Sequence, residues 1–129
     1  MATSRFISDE TLVAGADLSA YRYYGVTLSA GTAVLATAGA VWGVLQDGDV
    51  AGHSVAVRRQ GISKCLAGGT ITNGDYVTTD SAGKFVKLTP YVGAALGAYS
   101  DCIGQAMEDA VVNQVFAVDV HIPVPTVTS

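Results

Sequence analysis

Short apolar runs punctuated by glycine and turn residues fill most of the chain, the pattern left by successive strands joined through tight turns. The clearest run is Val115 to Ile122, where Phe116, Val118, Val120 and Ile122 fall on one face and Ala117, Asp119 and His121 on the other. That is the two-residue period of a half-buried strand. Pro123 and Pro125 then remove backbone donors, so residues 123–129 are expected to form an extended tail rather than more ladder. A second unit is Tyr76 to Thr79, then Asp80-Ser-Ala-Gly83, then Lys84 to Leu88. Asp at the first and Gly at the fourth turn position favour a type I turn, which predicts a hairpin. Val41 to Leu45, Ser54 to Arg58 and Ile62 to Leu66 read as a meander, with reversals at Asp47-Gly48 and Gln60-Gly61.

Helical spacing occurs only from Cys102 to Val112, where Ile103, Met107, Ala110 and Val111 would share a face. Gly104 weakens that helix by roughly 1 kcal/mol relative to Ala, and a strand and turn fit the segment equally well. The first twenty residues alternate small, polar and charged types with no sustained period, ahead of the first strong β run at Tyr21-Arg-Tyr-Tyr-Gly-Val. They predict a flexible arm. The expected fold is therefore mainly β: an arm over 1–20, one compact β-barrel or β-sandwich domain of short strands over 21–122 with at most one short helix, and the tail.

Composition narrows the function. The chain has 129 residues, half of them hydrophobic and only 14% charged, with a formal charge of -4. One folded domain with a real core fits that length, and the negative field disfavours nucleic acid and anionic lipid as partners. The low charged fraction leaves uncharged surface for something else to cover, a hint of assembly. Tyr23 to Gln46 carries no charge and is long enough to span a membrane's hydrocarbon core. Its threonines, serine and glycines, and the absence of dense Leu, Ile and Phe, read instead as strands and turns. No export signal is visible, since Asp9 and Glu10 precede any apolar run of that length.

The sequence holds no ready-made catalytic motif. Thr78 stands where a P-loop ending at Gly83-Lys84 would need glycine, and no GxSxG, HExxH, EF-hand or GxGxxG pattern occurs. Cys65 or Cys102 could in principle pair with His53 or His121 as an activated nucleophile, but buried thiols and solvated histidines are the plainer reading. A zinc site from those four lacks the closely paired ligands such sites use. Glu108-Asp109 and Asp47-x-Asp49 sit in turn-like contexts where carboxylates bond their own backbone. No cofactor or metal is expected. Flat aromatic and guanidinium surface remains as candidate interface: Tyr21, Tyr23 and Trp42, with Arg5 and Phe6 in the arm, and Arg58-Arg59, whose side chains should leave a strand on opposite faces.

The order of Asp17-Leu-Ser-Ala-Tyr-Arg-Tyr-Tyr-Gly-Val-Thr-Leu, Gly43-Val-Leu-Gln, Ala51-Gly-His-Ser-Val-Ala-Val, Gly61-Ile-Ser-Lys-Cys-Leu-Ala-Gly-Gly-Thr-Ile-Thr-Asn-Gly-Asp-Tyr-Val-Thr-Thr-Asp and Ile103-Gly-Gln-Ala-Met-Glu-Asp-Ala resembles the capsid cement, or head-decoration, proteins of tailed phages. The resemblance covers roughly Asp17 to Ile122. It implies a non-enzymatic virion protein, made in the bacterial cytoplasm, that binds the outer surface of the expanded head and clamps adjacent major capsid protein subunits. A homotrimer would match the local three-fold axes of a capsid, with Met1 to Ala20 ordering on the capsid surface. A carbohydrate- or small-ligand-binding β module using Trp42 and Tyr21 to Tyr24 is the alternative, and a cysteine-dependent enzyme a third.

Overall fold

The computed structural model describes residues 8–37, 41–88 and 103–121. These form nine strands: β1 (Ser8–Val13), β2 (Gly25–Ser29), β3 (Thr32–Leu35), β4 (Gly43–Leu45), β5 (Ser54–Leu66), β6 (Tyr76–Thr79), β7 (Phe85–Lys87), β8 (Gly104–Ala106) and β9 (Val115–His121). They make one sheet in the order β3-β2-β4-β5-β9-β8-β6-β7, with β1 added to β5, and every strand pair in it is antiparallel. The fold is all-β, and no helix occurs among the described residues. The segment with helical spacing instead forms the short strand β8 followed by a turn. Gly104 decides this, because a Cβ there would fall on the carbonyl oxygen of Asp119, so the position suits a ladder against β9 that only glycine can approach so closely.

Two other expectations are corrected. Gln60-Gly61 is no reversal, because β5 runs unbroken for 13 residues. Ser8 pairs with Gln60 and Asp9 with Arg58, leaving Arg59 as the extra residue of a β-bulge, and Gly61 takes a positive φ of 109°. The strand thus bends here without ending, which is what a bulge does. Residues 8–20 are likewise not an arm. Ser8 to Val13 pair with β5, and Ala14 and Leu18 are buried. The masking signal was polarity, since Asp9, Glu10 and Thr11 lie exposed on a strand whose partner covers only its backbone edge. The proposed tail lies outside the described residues.

The bend divides the sheet into two lobes with the same wiring. In the first lobe β1 pairs with the front of β5, β2 with β3 and β4, and β4 with β5; a parallel bridge from Ala14 to Ala33 draws the ends together. In the second lobe the back of β5 pairs with β9, β6 with β7 and β8, and β8 with β9; Ala67 bridges Phe85 in parallel. The correspondence reaches single hydrogen bonds. The Trp42 and Ile103 amides donate to the Val26 and Val77 carbonyls, and those of Leu45 and Ala106 to Tyr24 and Asp75. Ala14 and Ala67 receive the Gly52 and Asn113 amides. Asp47 accepts from the Ala56 amide and Glu108 from the Ala117 amide, each at 2.8 Å. Tyr23 and Gly74 share a positive φ, as do Gly52 and Asn113. The chain is an internal duplication in which β5 closes the first lobe and opens the second.

Each lobe has its own core. Leu18, Val26, Leu45, Val55 and Val57 with Ala14 and Ala33 fill the first. Ile71, Val77, Phe85, Ile103, Phe116, Val118 and Val120 dominate the second, joined by Cys65 and by Val44 from β4.

Candidate functional site

The residues singled out from the sequence gather on the first lobe, around the bend in β5. Arg58 and Arg59 are consecutive residues of β5, and their guanidiniums reach different partners. Arg58 reaches β1, where Nε and Nη2 donate to the two Asp9 carboxylate oxygens at 2.8 and 3.0 Å, while Nη1 donates to the Ile62 carbonyl at 2.8 Å. This fork-to-fork pair is the strong form of an ion pair, and the Asp9 bond raises the already high pKa of Arg58 against a smaller effect of partial burial. Arg59 instead lies over the Trp42 ring, 4.3 Å from its centroid, and donates to the Trp42 carbonyl.

Trp42 packs on the first core with its outer face under Arg59. A stacking platform for sugar is therefore filled by the chain's own guanidinium. Tyr21 packs on the same core and meets Tyr24 edge-on, at 5.0 Å and 88°. Tyr23 turns outward through its positive φ, and the Arg22 guanidinium sits 4.7 Å from its ring centroid. Arg22 Nε also donates to the Gln46 carbonyl. Arg5 and Phe6 lie outside the described residues.

Tyr23 and Arg58 come together in an open groove of about 340 Å³, completed by Gln46, Ile62, Ser63 and Lys64. Gln46 spans it, its amide nitrogen donating to the Ser63 hydroxyl at 2.8 Å and the Val44 carbonyl at 3.1 Å. Gln46, Ile62 and Lys64 were missed by sequence reasoning. Lys64 is the one charged residue of Ile62 to Leu66, but it alternates in phase with Ile62 and Leu66, so no polar face marked it. The groove itself depends on the bend, which Gln60-Gly61 had disguised as a turn.

The residues considered for catalysis are scattered. His53 is exposed beside Asp49 at 3.2 Å, and His121 is exposed at the end of β9. Cys65 is fully buried in the second core, and desolvation drives its thiol pKa far up against a weaker hydrogen bond from Ser63. A thiolate nucleophile is disfavoured there. Cys102 lies outside the described residues. Among the described residues no three His, Cys, Asp or Glu side chains gather as a metal site would require.

No family model and no curated protein sequence matches the chain. Among solved structures, the chain is similar to the N base of the head fiber gp8.5 of bacteriophage phi29, with a TM-score of 0.68 and 20% sequence identity. That match covers 89% of this chain and 94% of the solved N-base chain.

Proposed function

We propose that this protein is a structural component of a tailed-phage virion, bound to the outside of the head. The observation that carries the reading is the end-to-end likeness of this twin-lobed sheet to a head fiber base, 89% of one chain against 94% of the other. A fold shared over its whole length, rather than over one motif, makes a shared mode of use the economical reading, although fold alone does not fix function. The order of motifs from Asp17 to Ile122 points the same way.

In the finer form of the proposal the chain is a non-catalytic cement protein that contacts adjacent major capsid protein subunits, and associates as a homotrimer. Several modest contacts per oligomer then act together, since each engaged site raises the effective concentration of the next. Tyr21, Tyr23 and the arginine-capped Trp42 supply the rigid aromatic surface that such contacts favour.

Quantitative mass spectrometry of purified phage particles tests both levels. The clamp predicts a copy number comparable to that of the major capsid protein. A few copies per particle would overturn the clamp and leave a fiber- or tail-like virion role, and absence from washed particles would overturn the virion reading altogether.

A further inference from the structure

The two lobes supply an internal control for the groove at the bend. The structurally equivalent place in the second lobe is also concave, lined by Asn73, Gly74, Gln105, Met107 and Asp119. By the matched hydrogen bonds, Arg22 corresponds to Asn73, Tyr23 to Gly74, Gln46 to Met107 and Arg58 to Asp119. The backbone concavity is thus a property of the repeat, but its charge is not. In the first lobe it carries Arg58 and Lys64, with Arg22 against Tyr23; in the second, the position of Arg58 is a carboxylate. No carboxylate lines the first groove, in a chain whose net charge is -4. Asp9 neutralises one edge of Arg58 from the side, while Lys64 is exposed and has no ion-pair partner among the described residues.

The groove also has a backbone edge. Cys65 pairs with Phe116 and Ser63 with Val118, and the Ala67 amide donates toward β9, at Gln114, while the Leu66 amide donates the other way, to the Tyr23 carbonyl. Successive residues of a strand alternate sides, so Ile62 and Lys64 aim their amides away from β9, as Leu66 does. No strand pairs with that edge at Ile62 to Lys64 among the described residues. On this edge the Ile62 and Lys64 carbonyls already accept from Arg58 Nη1 and Ser63 Oγ, so a guest meets the two amides and the flanking cations. That suits an extended segment whose main-chain carbonyls accept from those amides and which carries carboxylates.

We propose that the groove between Tyr23 and Ile62 to Lys64 is a docking site for an extended acidic peptide segment of a partner protein, which pairs with the β5 edge and sets its carboxylates against Lys64 and Arg22. The inference stands on the groove and its counterpart, and does not require the virion reading.

Fluorescence anisotropy of a labelled eight-residue peptide of alternating glutamate and valine, titrated with the full chain, tests it against the same peptide with lysine for glutamate. The glutamate peptide binds and the lysine peptide does not. Lys64→Glu weakens binding by about fivefold or more, while Lys87→Glu, an equal change of charge on β7, leaves it within about twofold. Hydrogen exchange at the Ile62 and Lys64 amides slows in the complex. Absence of binding, equal binding of both peptides, insensitivity to Lys64→Glu, or unchanged exchange at those amides would each overturn the proposal. So would tighter binding of an oligothymidylate or of vesicles rich in phosphatidylserine.

Discussion

The two lobes share a ladder and differ in what hangs from it. Where the second lobe buries Phe116, the first buries Val55 at the matched position; where the second buries Ile103, the first has Trp42, only half-buried and capped by Arg59. Phe85, with Phe116 one of the two largest buried side chains of the second lobe, corresponds to Ala33. The first lobe thus has a core of aliphatic and small residues, with its aromatics on the rim as Tyr21, Tyr23 and Trp42. A repeated backbone allows this division. One copy supplies apolar burial, and the other, attached to it through a continuous strand, is free to spend its large side chains on surface. The same asymmetry appears in charge, with Arg58 in one groove matched by Asp119 in the other.

The division of labour is broken most directly from inside. Phe116→Ala empties the centre of the second core and should cost about 3–5 kcal/mol, whereas Val55→Ala at the equivalent place should cost roughly half as much. Trp42 is the chain's single tryptophan and lies in the first lobe, so its fluorescence follows that lobe while far-UV circular dichroism follows both. Because β5 belongs to both ladders, the fluorescence and dichroism midpoints should fall together in Phe116→Ala. A Trp42 midpoint that stays at the wild-type temperature while dichroism falls would mean that the lobes are independent and that the second does not support the first.

The next test bears on the ladder itself. Gly43 and Gly104 occupy matched positions on β4 and β8, and both face β strands too close for a side chain. A Cβ at Gly104 would strike the Asp119 carbonyl oxygen, which cannot move without breaking the β8 to β9 pairing. At Gly43 the first obstacle is the Val57 methyl, with the Arg58 carbonyl oxygen next at 2.9 Å. Overpacking of this kind costs about 1–3 kcal/mol. Gly104→Ala should lie at the upper end of that range or above it and Gly43→Ala below it, as read from urea midpoints. The reverse order would show that the first lobe is the more tightly registered one.

Much of this was legible from residues alone, and the exceptions have physical causes. Strand β9 and the β6 to β7 hairpin stand where alternation and turn chemistry put them, with the Asp80 carboxylate accepting from the Ala82 and Lys84 amides across the expected turn. Strand β5 was split because a glycine of positive φ signals a turn and a bulge equally, and only the partner strand tells them apart. Strand β1 was lost because an edge segment with one half-buried side chain, Leu12, shows no period. The duplication escaped because what the lobes hold in common is small: Ala14-Gly15 with Ala67-Gly68, Gly43 with Gly104, Ala56-Val57 with Ala117-Val118. Those residues keep strands close, whereas the large side chains by which repeats are usually noticed have diverged. For the candidate site, Tyr23 and Arg58 could be read from type and spacing, but the groove they share is made by the bend.

The smallest expected effect tests the equivalence at a turn. Gly52 has φ 88° and open space where a side chain would go, and its counterpart Asn113 holds φ 66° while its side-chain oxygen accepts from Lys84 at 2.7 Å. Sterics therefore play no part at Gly52, and only backbone conformation is at stake. Alanine in the left-handed region costs about 1–2 kcal/mol, partly offset by about 0.4–1 kcal/mol from the stiffer unfolded chain. Gly52→Ala should then destabilise by about 1 kcal/mol. Asparagine tolerates the region through local hydrogen bonding, and the second lobe already uses it there, so Gly52→Asn should fall within about 0.5 kcal/mol of the wild type. Equal losses for the two variants in urea unfolding would mean that the turns only look alike, since a true repeat must accept at one copy the residue that the other already carries.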